Sequence, residues 1–582
     1  MRHFFCIPLL CTISALPVAA QLAVDQKVND FQNMTALYAK RYAPYEWKKL
    51  AFKFDIFAIS PWLDRVKASK TDIDFFEICA EYVASLHDTH SSFTAPYRFV
   101  ADLGIMVDIY DGKLLIEGIN RAYLPADRFP FQAGDEVVSV DGKSMDEWIA
   151  YFSRFRQWGS SLTTRRYVAD AITYRPSSLY ARALELGDSA TVVVNRANGA
   201  MESYTVPWTK TGYPGANIGP VPSPKARPSP SASVSPASRQ DSPDYMALLN
   251  QMRNWRLPET DPILQGEVLN EETGEVVPRR YLLGIGGRAP VFTLPTGFEQ
   301  RLGKGTDFHY SGTYSSGGLR IGYLRVPGFS TTATSLRELT QEIAYFQANT
   351  DGLIVDVMRN GGGDCYMLNL ASYLIPTDNF YFFGELLRPS LASINNLQNA
   401  INATKCSNGP QWVIDLYTTY LAQIQSAYME NRGVTGSIPA CSLSFENSPA
   451  TDNRGAVIAY TKPLIILVDE FSISAADIFP AMMQDNKRGV VVGMPTSGGG
   501  GSISVWPLFY SEALVSNTNS LVVRNHSIVT AEFPEAPYVE NIGTRPDIKL
   551  DYMTQDNLLN RGKSFVDSFT QILIDQIKAA RP

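Results

Sequence analysis

Residues 463–486 read PLIILVDEFSISAADIFPAMMQDN, and the change of pattern inside this stretch decides the architecture. PLIILV is an unbroken apolar run of the kind found in strands buried on both faces, whereas AADIFPAMMQDN reads as a helix. Ser474 falls at the turn between them. There the partial positive charge of the helix N-terminus and the amide of Ala475 would face a developing oxyanion. Ser472 lies two residues earlier, on the way out of the strand, and is the weaker choice. A serine that caps a helix is more often structural. A catalytic one needs a base within reach, because its hydroxyl is a poor nucleophile at neutral pH.

Working outward, GLRIGYLRVPGFS (318–330) is a strand, TSLRELTQEIAYFQANT (334–350) an amphipathic helix, and GLIVDVMRNGGGD (352–364) a buried strand ending in a glycine loop. Apolar strands alternating with helices predict an α/β domain around a largely buried sheet. In RNGGGD (359–364) three glycines let the backbone approach a ligand closely and turn N–H groups toward it. Gly362 is the preferred second oxyanion donor, ahead of Gly361 and Gly363. The interval 376–461 is long for a connection and predicts an insertion with helices of its own.

Toward the N-terminus, residues 29–86 have helical periodicity, with Thr71 and Asp74 forming a capping box, and stop at LHDTHSSFTAPY (86–97). Beyond the first 20 residues the histidines are His87, His90, His309 and His526. His87 and His90 are three apart but show no third ligand nearby, so no metal is expected. His87 suits the C-terminal end of the preceding helix, and His90, past the break, is the better base. DLGIMVDIYDGKLLIEGI (102–119) and AGDEVVSVDGKSMDEWIAYF (133–152) alternate around Asp-Gly turns and predict β-hairpins. Residues 214–243, PGANIGPVPSPKARPSPSASVSPASRQDSP, hold almost no apolar bulk and read as a linker or exposed loop.

Composition narrows the function. With 51 basic against 58 acidic residues and no basic run, nucleic acid is not an expected partner. Residues 1–20 read as a secretory signal peptide, and no later run is long and apolar enough for a membrane span, so a secreted or periplasmic protein is expected. Cys79, Cys365, Cys406 and Cys441 remain after that segment, and Cys406 with Cys441, inside one insertion, is the favoured disulfide.

The ordered set LxDxH (86–90), the hairpin phrase, IGYLRV, DVMRNGGG, SxSAADIF with MQDN, VVVGMPTSGGGG (490–501) and ENIGTRPDI (540–548) resembles the S41 peptidases, the tricorn and carboxy-terminal processing type. The resemblance implies an α/β multidomain chain: a helical N-terminal domain (21–98), a PDZ-like β-rich domain (99–210), the Pro/Ser linker (211–262) and a ClpP/crotonase-like α/β catalytic core (263–582). It places the nucleophile on Ser474. The lysine-based branch carries a lysine where this chain has Gly499, so the base comes instead from the DxH motif, His90. The acidic residue of ExxG is Glu540, which would orient the imidazole; Glu532, Glu535 and Asp88 are rivals, and Asp88 better suits ordering the loop. Ala475 with Gly362 or Gly361 would hold the oxyanion. The implied function is a secreted serine endopeptidase acting on protein or peptide substrates without metal or organic cofactor. The relatives also imply a PDZ-regulated homodimer that nicks itself near residues 214–262, and a histidine base implies activity falling below about pH 6 to 7. The rival is a non-catalytic binding or scaffold protein of the same fold.

Overall fold

Leu464–Val468 lies inside a seven-stranded sheet ordered Glu299–Leu302, Tyr310–Ser316, Leu319–Arg325, Gly352–Asp356, Leu464–Val468, Val490–Gly493, Ile548–Lys549. The first two pairings are antiparallel, and the strands from Leu319 onward run parallel. The computed structural model describes residues 22–216, 283–442 and 444–581, together with the paired strands Glu267–Leu269 and Val276–Pro278. The expected signal peptide (1–20), most of the Pro/Ser stretch and the expected self-nicking within it lie outside these residues.

Period-two alternation explains why the strands read as unbroken apolar runs. Leu353, Val355, Leu464, Ile466 and Val468 pack with Leu339, Ile343, Met367, Leu370 and Ile478 from the helices Ala333–Asn349, Tyr366–Leu374 and Ala475–Asp485. Ile354, Ile465 and Leu467 face the other way, onto Phe565, Phe569 and Leu573 of the helix Lys563–Ala580. With both faces covered, the C-terminal strand ends carry the loops 357–364, 469–474 and 494–501 side by side, where open α/β sheets bind their ligands.

Before the sheet domain, the helices Val24–Arg41, Tyr45–Phe52, Ser60–Ala68 and Asp72–Ala84 precede a sheet ordered Ile105–Tyr110, Lys113–Ile119, Glu136–Val140, Ser189–Asn195, Met201–Pro207. Thr71 Oγ1 accepts from Asp74 N while Asp74 returns a bond to Thr71 N, which closes the capping box. Phe31, Phe76, Tyr97, Val107 and Val192 share one core with Leu508 and Val515, so packing is continuous across residue 98. The expected linker start at 211 is corrected. Thr209–Ala216 is a strand paired with Tyr97–Asp102, regular through Tyr213 and with a register shift before Ala216.

Residues 376–461 hold two packed helices, Leu391–Cys406 and Gln411–Met429. The expected Cys406–Cys441 disulfide is corrected to Cys365–Cys441, with Cα atoms 5.6 Å apart across 76 residues. Cys406 ends its helix on an exposed surface, whereas Cys441 returns to the sheet domain beside the glycine loop. Among the described residues no helix is long and apolar enough to cross a membrane.

Candidate active site

The turn after Leu464–Val468 is tied down before Ser474 is reached. Asp469 Oδ1 accepts from Arg359 N (2.7 Å) and Phe471 N (3.1 Å), and Ser472 Oγ donates to Val357 O (2.8 Å). Ser472 is therefore committed to the turn. Ser474 follows with φ +58° and ψ −115°, a backbone region that L side chains rarely adopt and that surrounding structure must enforce. Asp477 does so. Its carboxylate accepts from Ser474 N (2.7 Å), Ser497 Oγ (2.9 Å), Gly498 N (2.8 Å), Gly499 N (3.0 Å) and Thr496 Oγ1. Burial pushes Asp477 up to about 6, and the five donors favour the carboxylate at neutral pH.

Ser474 makes no side-chain bond to its own helix, and Ala475 is the first helical residue, whose N–H has no intrahelical acceptor. Gly362 lies against both. A Cβ at Gly362 would come 2.7 Å from Ser474 Cβ and from Ile473 O, and 3.2 Å from Ala475 N, so only glycine fits there. Its own N–H donates to Asn360 Oδ1 at 2.8 Å, which corrects the preference for Gly362 as an oxyanion donor. The Gly361 N–H meets no acceptor among the described residues and is the one left to face a ligand.

His90 sits in a loop fixed from three sides. Asp88 Oδ1 accepts from His90 N (2.7 Å) and Ser91 N (3.1 Å), and Thr518 Oγ1 donates to Asp88 Oδ2 (2.8 Å). Arg156 donates to Ser91 O (2.7 Å) and Thr89 O (3.1 Å), and Ser516 Oγ to His90 O (2.7 Å). Burial opposes ionisation of Asp88, but Lys48 and His90 outweigh it and hold the carboxyl below its ordinary range. Asp88 thus orders the loop. Thr89 packs on Gly499, where an added Cβ would come 3.0 Å from Thr89 Cβ, so the histidine loop touches the glycine loop held by Asp477. Burial pushes His90 down to about 4, with Asp88 opposing and Arg156 and Lys48 adding. Its Nδ1 is buried without a hydrogen-bond partner.

The expectation that Glu540 binds His90 is corrected by that bare nitrogen. Glu540 Oε1 accepts from Lys48 Nζ at 2.5 Å and Oε2 from Gly500 N at 3.2 Å. Lys48 also donates to His87 O (2.8 Å) and Asn541 Oδ1 (2.6 Å), so all three of its protons are placed. Burial, helped by Asp88, pushes Glu540 up, and the hydrogen-bonded Lys48 ammonium pulls it back down. Of the rivals, Glu532 pairs with Arg545 at the surface and Glu535 is exposed. His87 stacks on Phe52, ring centroids 4.4 Å apart. Sequence reasoning singled out neither Lys48 nor Asp477; Asp477 lies inside the SAADIF phrase, whereas Lys48 lies on the helix Tyr45–Phe52, apart from the ordered motifs.

The β-rich region reaches the nucleophile turn directly. Arg166 donates to both oxygens of Asp108 (2.7 and 3.2 Å) and to Glu470 Oε2 (2.8 Å), and its guanidinium lies 4.5 Å over the Phe471 ring. Thr163 Oγ1 donates to Glu470 O at 2.8 Å. Trp158, Leu283, Ile285, Phe471 and Ile473 form an apolar cluster beside Ser474.

A serine on a strained turn, an open helix-terminal amide and a glycine loop against its Cβ make up the front of an acyl-transfer site. Residues 320–550 match the family model of Peptidase family S41, and residues 100–215 match a PDZ domain. The chain carries an S41 peptidase domain behind a PDZ domain and is a serine peptidase. It is similar along nearly its whole length to a protein of Chlamydia pneumoniae, 24% identical over 98% of this chain and 93% of that one. A Chlamydia trachomatis serovar D protein is 22% identical over 98% of this chain and 96% of its own. The crystal structure of mature CPAF superposes with a TM-score of 0.70 at 18% identity, covering 96% of this chain and 99% of that one, which shows a shared fold.

Proposed function

We propose that this serine peptidase is a secreted endopeptidase whose nucleophile is Ser474 and whose base is His90. Ser474 Oγ attacks the peptide carbonyl carbon, and its proton passes to His90. The tetrahedral oxyanion is held by the amides of Ala475 and Gly361. The proton then returns from His90 to the leaving amine, and water repeats the sequence to release the acyl group. Glu540 acts from beneath the histidine loop, through Lys48 and its bond to His87 O, and keeps the loop in place beside Gly499 and Gly500. Catalytic hydrogen bonds are often unmade without substrate, so the bare Nδ1 is compatible with a base that closes onto Ser474 on binding.

The observation that carries this reading is the backbone of Ser474, held at φ +58° by Asp477 with the Ala475 amide open beside it. A capping serine needs no such strain. Labelling with a fluorophosphonate tests it: one adduct on Ser474, lost in Ser474→Ala and slowed in His90→Ala, is expected. Labelling elsewhere, or at equal rates in His90→Ala, would overturn the assignment. PDZ regulation, self-nicking near residues 214–262 and a homodimer belong to the same proposal. If Ser474→Ala protein, purified alone, matured to the same fragments as wild type, self-cleavage would be excluded.

A further inference from the structure

In the loops 357–364, 469–474 and 494–501, two residues other than glycine have positive φ: Ser474 at +58° and Arg359 at +50°. Asp477 accounts for the first. The second opens the RNGGG loop that supplies the Gly361 amide, and a left-handed backbone outside glycine needs surrounding contacts to enforce it. Arg359 is 5% exposed, and both its main chain and its side chain are held. Its N–H donates to Asp469 Oδ1 at 2.7 Å, while its Nε faces Asp469 Oδ2 at 3.7 Å as an ion pair. One carboxylate thus grips Arg359 twice, and that carboxylate also accepts from Phe471 N in the nucleophile turn.

The other grip is the segment 283–287. Arg359 Nη1 donates to Leu283 O, and Gly286 N donates to Arg359 O at 2.8 Å. A Cβ at Gly284 would come 3.1 Å from Nη1 and 3.3 Å from Cδ of Arg359, so the side chain lies directly on this backbone. The segment is itself fixed. Arg325, wholly buried, donates from Nε to Gly287 O (2.9 Å) and from Nη1 to Met358 O (2.8 Å), the residue before Arg359. Leu283 and Ile285 pack with Phe471 and Ile473 beside Ser474. Arg359 touches no reacting atom, yet it joins the loop that carries the Gly361 amide to the turn that carries the Ser474 hydroxyl.

We propose that Arg359 is a positioning residue: by tying the segment 283–287 to Asp469 it sets the distance between the Gly361 amide and Ser474 Oγ. This rests on Ser474 as the nucleophile. A displaced oxyanion donor weakens the hold on the tetrahedral intermediate and not on the bound peptide, so the loss falls on kcat.

Three variants test this. Arg359→Gly removes the side chain at a φ that glycine accepts without strain. Arg359→Lys keeps the charge and loses the fork. Gly284→Ala crowds the guanidinium with Arg359 intact. Peptide turnover is measured per serine labelled to completion by a fluorophosphonate, so that unfolded protein is not counted. A fall in kcat of about tenfold or more in each variant, at near-wild-type KM, is expected. Full kcat in Arg359→Gly would show that the backbone conformation alone suffices and would overturn the proposal. So would a rise in KM with kcat unchanged in Arg359→Lys. Wild-type protein unlabelled at Ser474 would overturn the nucleophile assignment and this proposal together, whereas labelled wild type beside fully active variants would overturn this proposal alone.

Discussion

Lys48 and Glu540, 492 residues apart, form an ion pair in which both side chains are wholly buried. Lys48 closes the first helices onto the C-terminal loop and, through His87 O, onto the histidine loop. Removing one partner strands the other without solvent. Lys48→Met is expected to cost about 3 to 5 kcal/mol of stability, and Lys48→Met with Glu540→Gln about half of that, since the pair's own desolvation penalty is relieved. Peptide hydrolysis should fall in both, because the bond to His87 O is gone. Urea denaturation alongside turnover checks this, and a Lys48→Met protein as stable as wild type would show that the pair is solvated.

Arg166 ties the β-rich region to the nucleophile turn and touches no reacting atom, which makes it a positioning residue. Arg166→Met leaves Asp108 and Glu470 facing each other unpaired, at about 3 to 5 kcal/mol. Arg166→Lys keeps the charge but loses the fork, so it should fold and turn over slowly. The expected signature in Arg166→Lys is a lowered kcat at near-wild-type KM, because the turn that presents Ser474 loosens. Equal kcat in Arg166→Lys and wild type would separate this link from catalysis.

How much of this was legible beforehand depended on the range of the interactions. The sheet read correctly from Leu464–Val468 and Gly352–Asp356 because parallel strands covered on both faces leave an apolar run in the chain. The turn that carries Ser474 was legible because a strand, a turn and a helix are local. Lys48 was not: on the short helix YEWKKLAF a doubled lysine looks like a solvated face, and only a loop nearly five hundred residues later buries it. Asp477 was visible as a letter in SAAD, but its five donors come mostly from the glycine loop. The Glu540 assignment went astray for the same reason. Motif order brought it near His90, and its actual partner was set by packing.

The disulfide gives a separate check on the insertion. Cys365–Cys441 closes a loop of 76 residues, for which chain-entropy arguments give roughly 4 kcal/mol. Cys441→Ser should therefore lower the thermal midpoint by several degrees, while Cys406→Ser leaves it unchanged. In non-reduced protein a maleimide should modify Cys406, which is exposed, and spare Cys79, which is buried. Peptide mapping that linked Cys406 to Cys441 would overturn the Cys365–Cys441 pairing.

His90 carries the sharpest prediction, because burial changes the pH at which it can act. A solvated imidazole titrates near 6.5, and a base of that kind fails as pH drops below about 6 to 7. Burial moves His90 down to about 4, where Asp88 only partly compensates. The neutral, proton-accepting form should then persist well below pH 6, and the acid loss due to His90 should appear near pH 4. The sign for stability follows. The unfolded chain binds a proton at His90 that the folded chain refuses, so stability falls as pH drops from about 6.5 toward 4. Proton NMR of histidine-labelled Ser474→Ala protein, with His90→Gln identifying the resonance, reads the midpoint directly. A value near 4 is expected. A midpoint near 6.5 would mean that water reaches Nδ1, and the acid limb of kcat/KM would then move up with it.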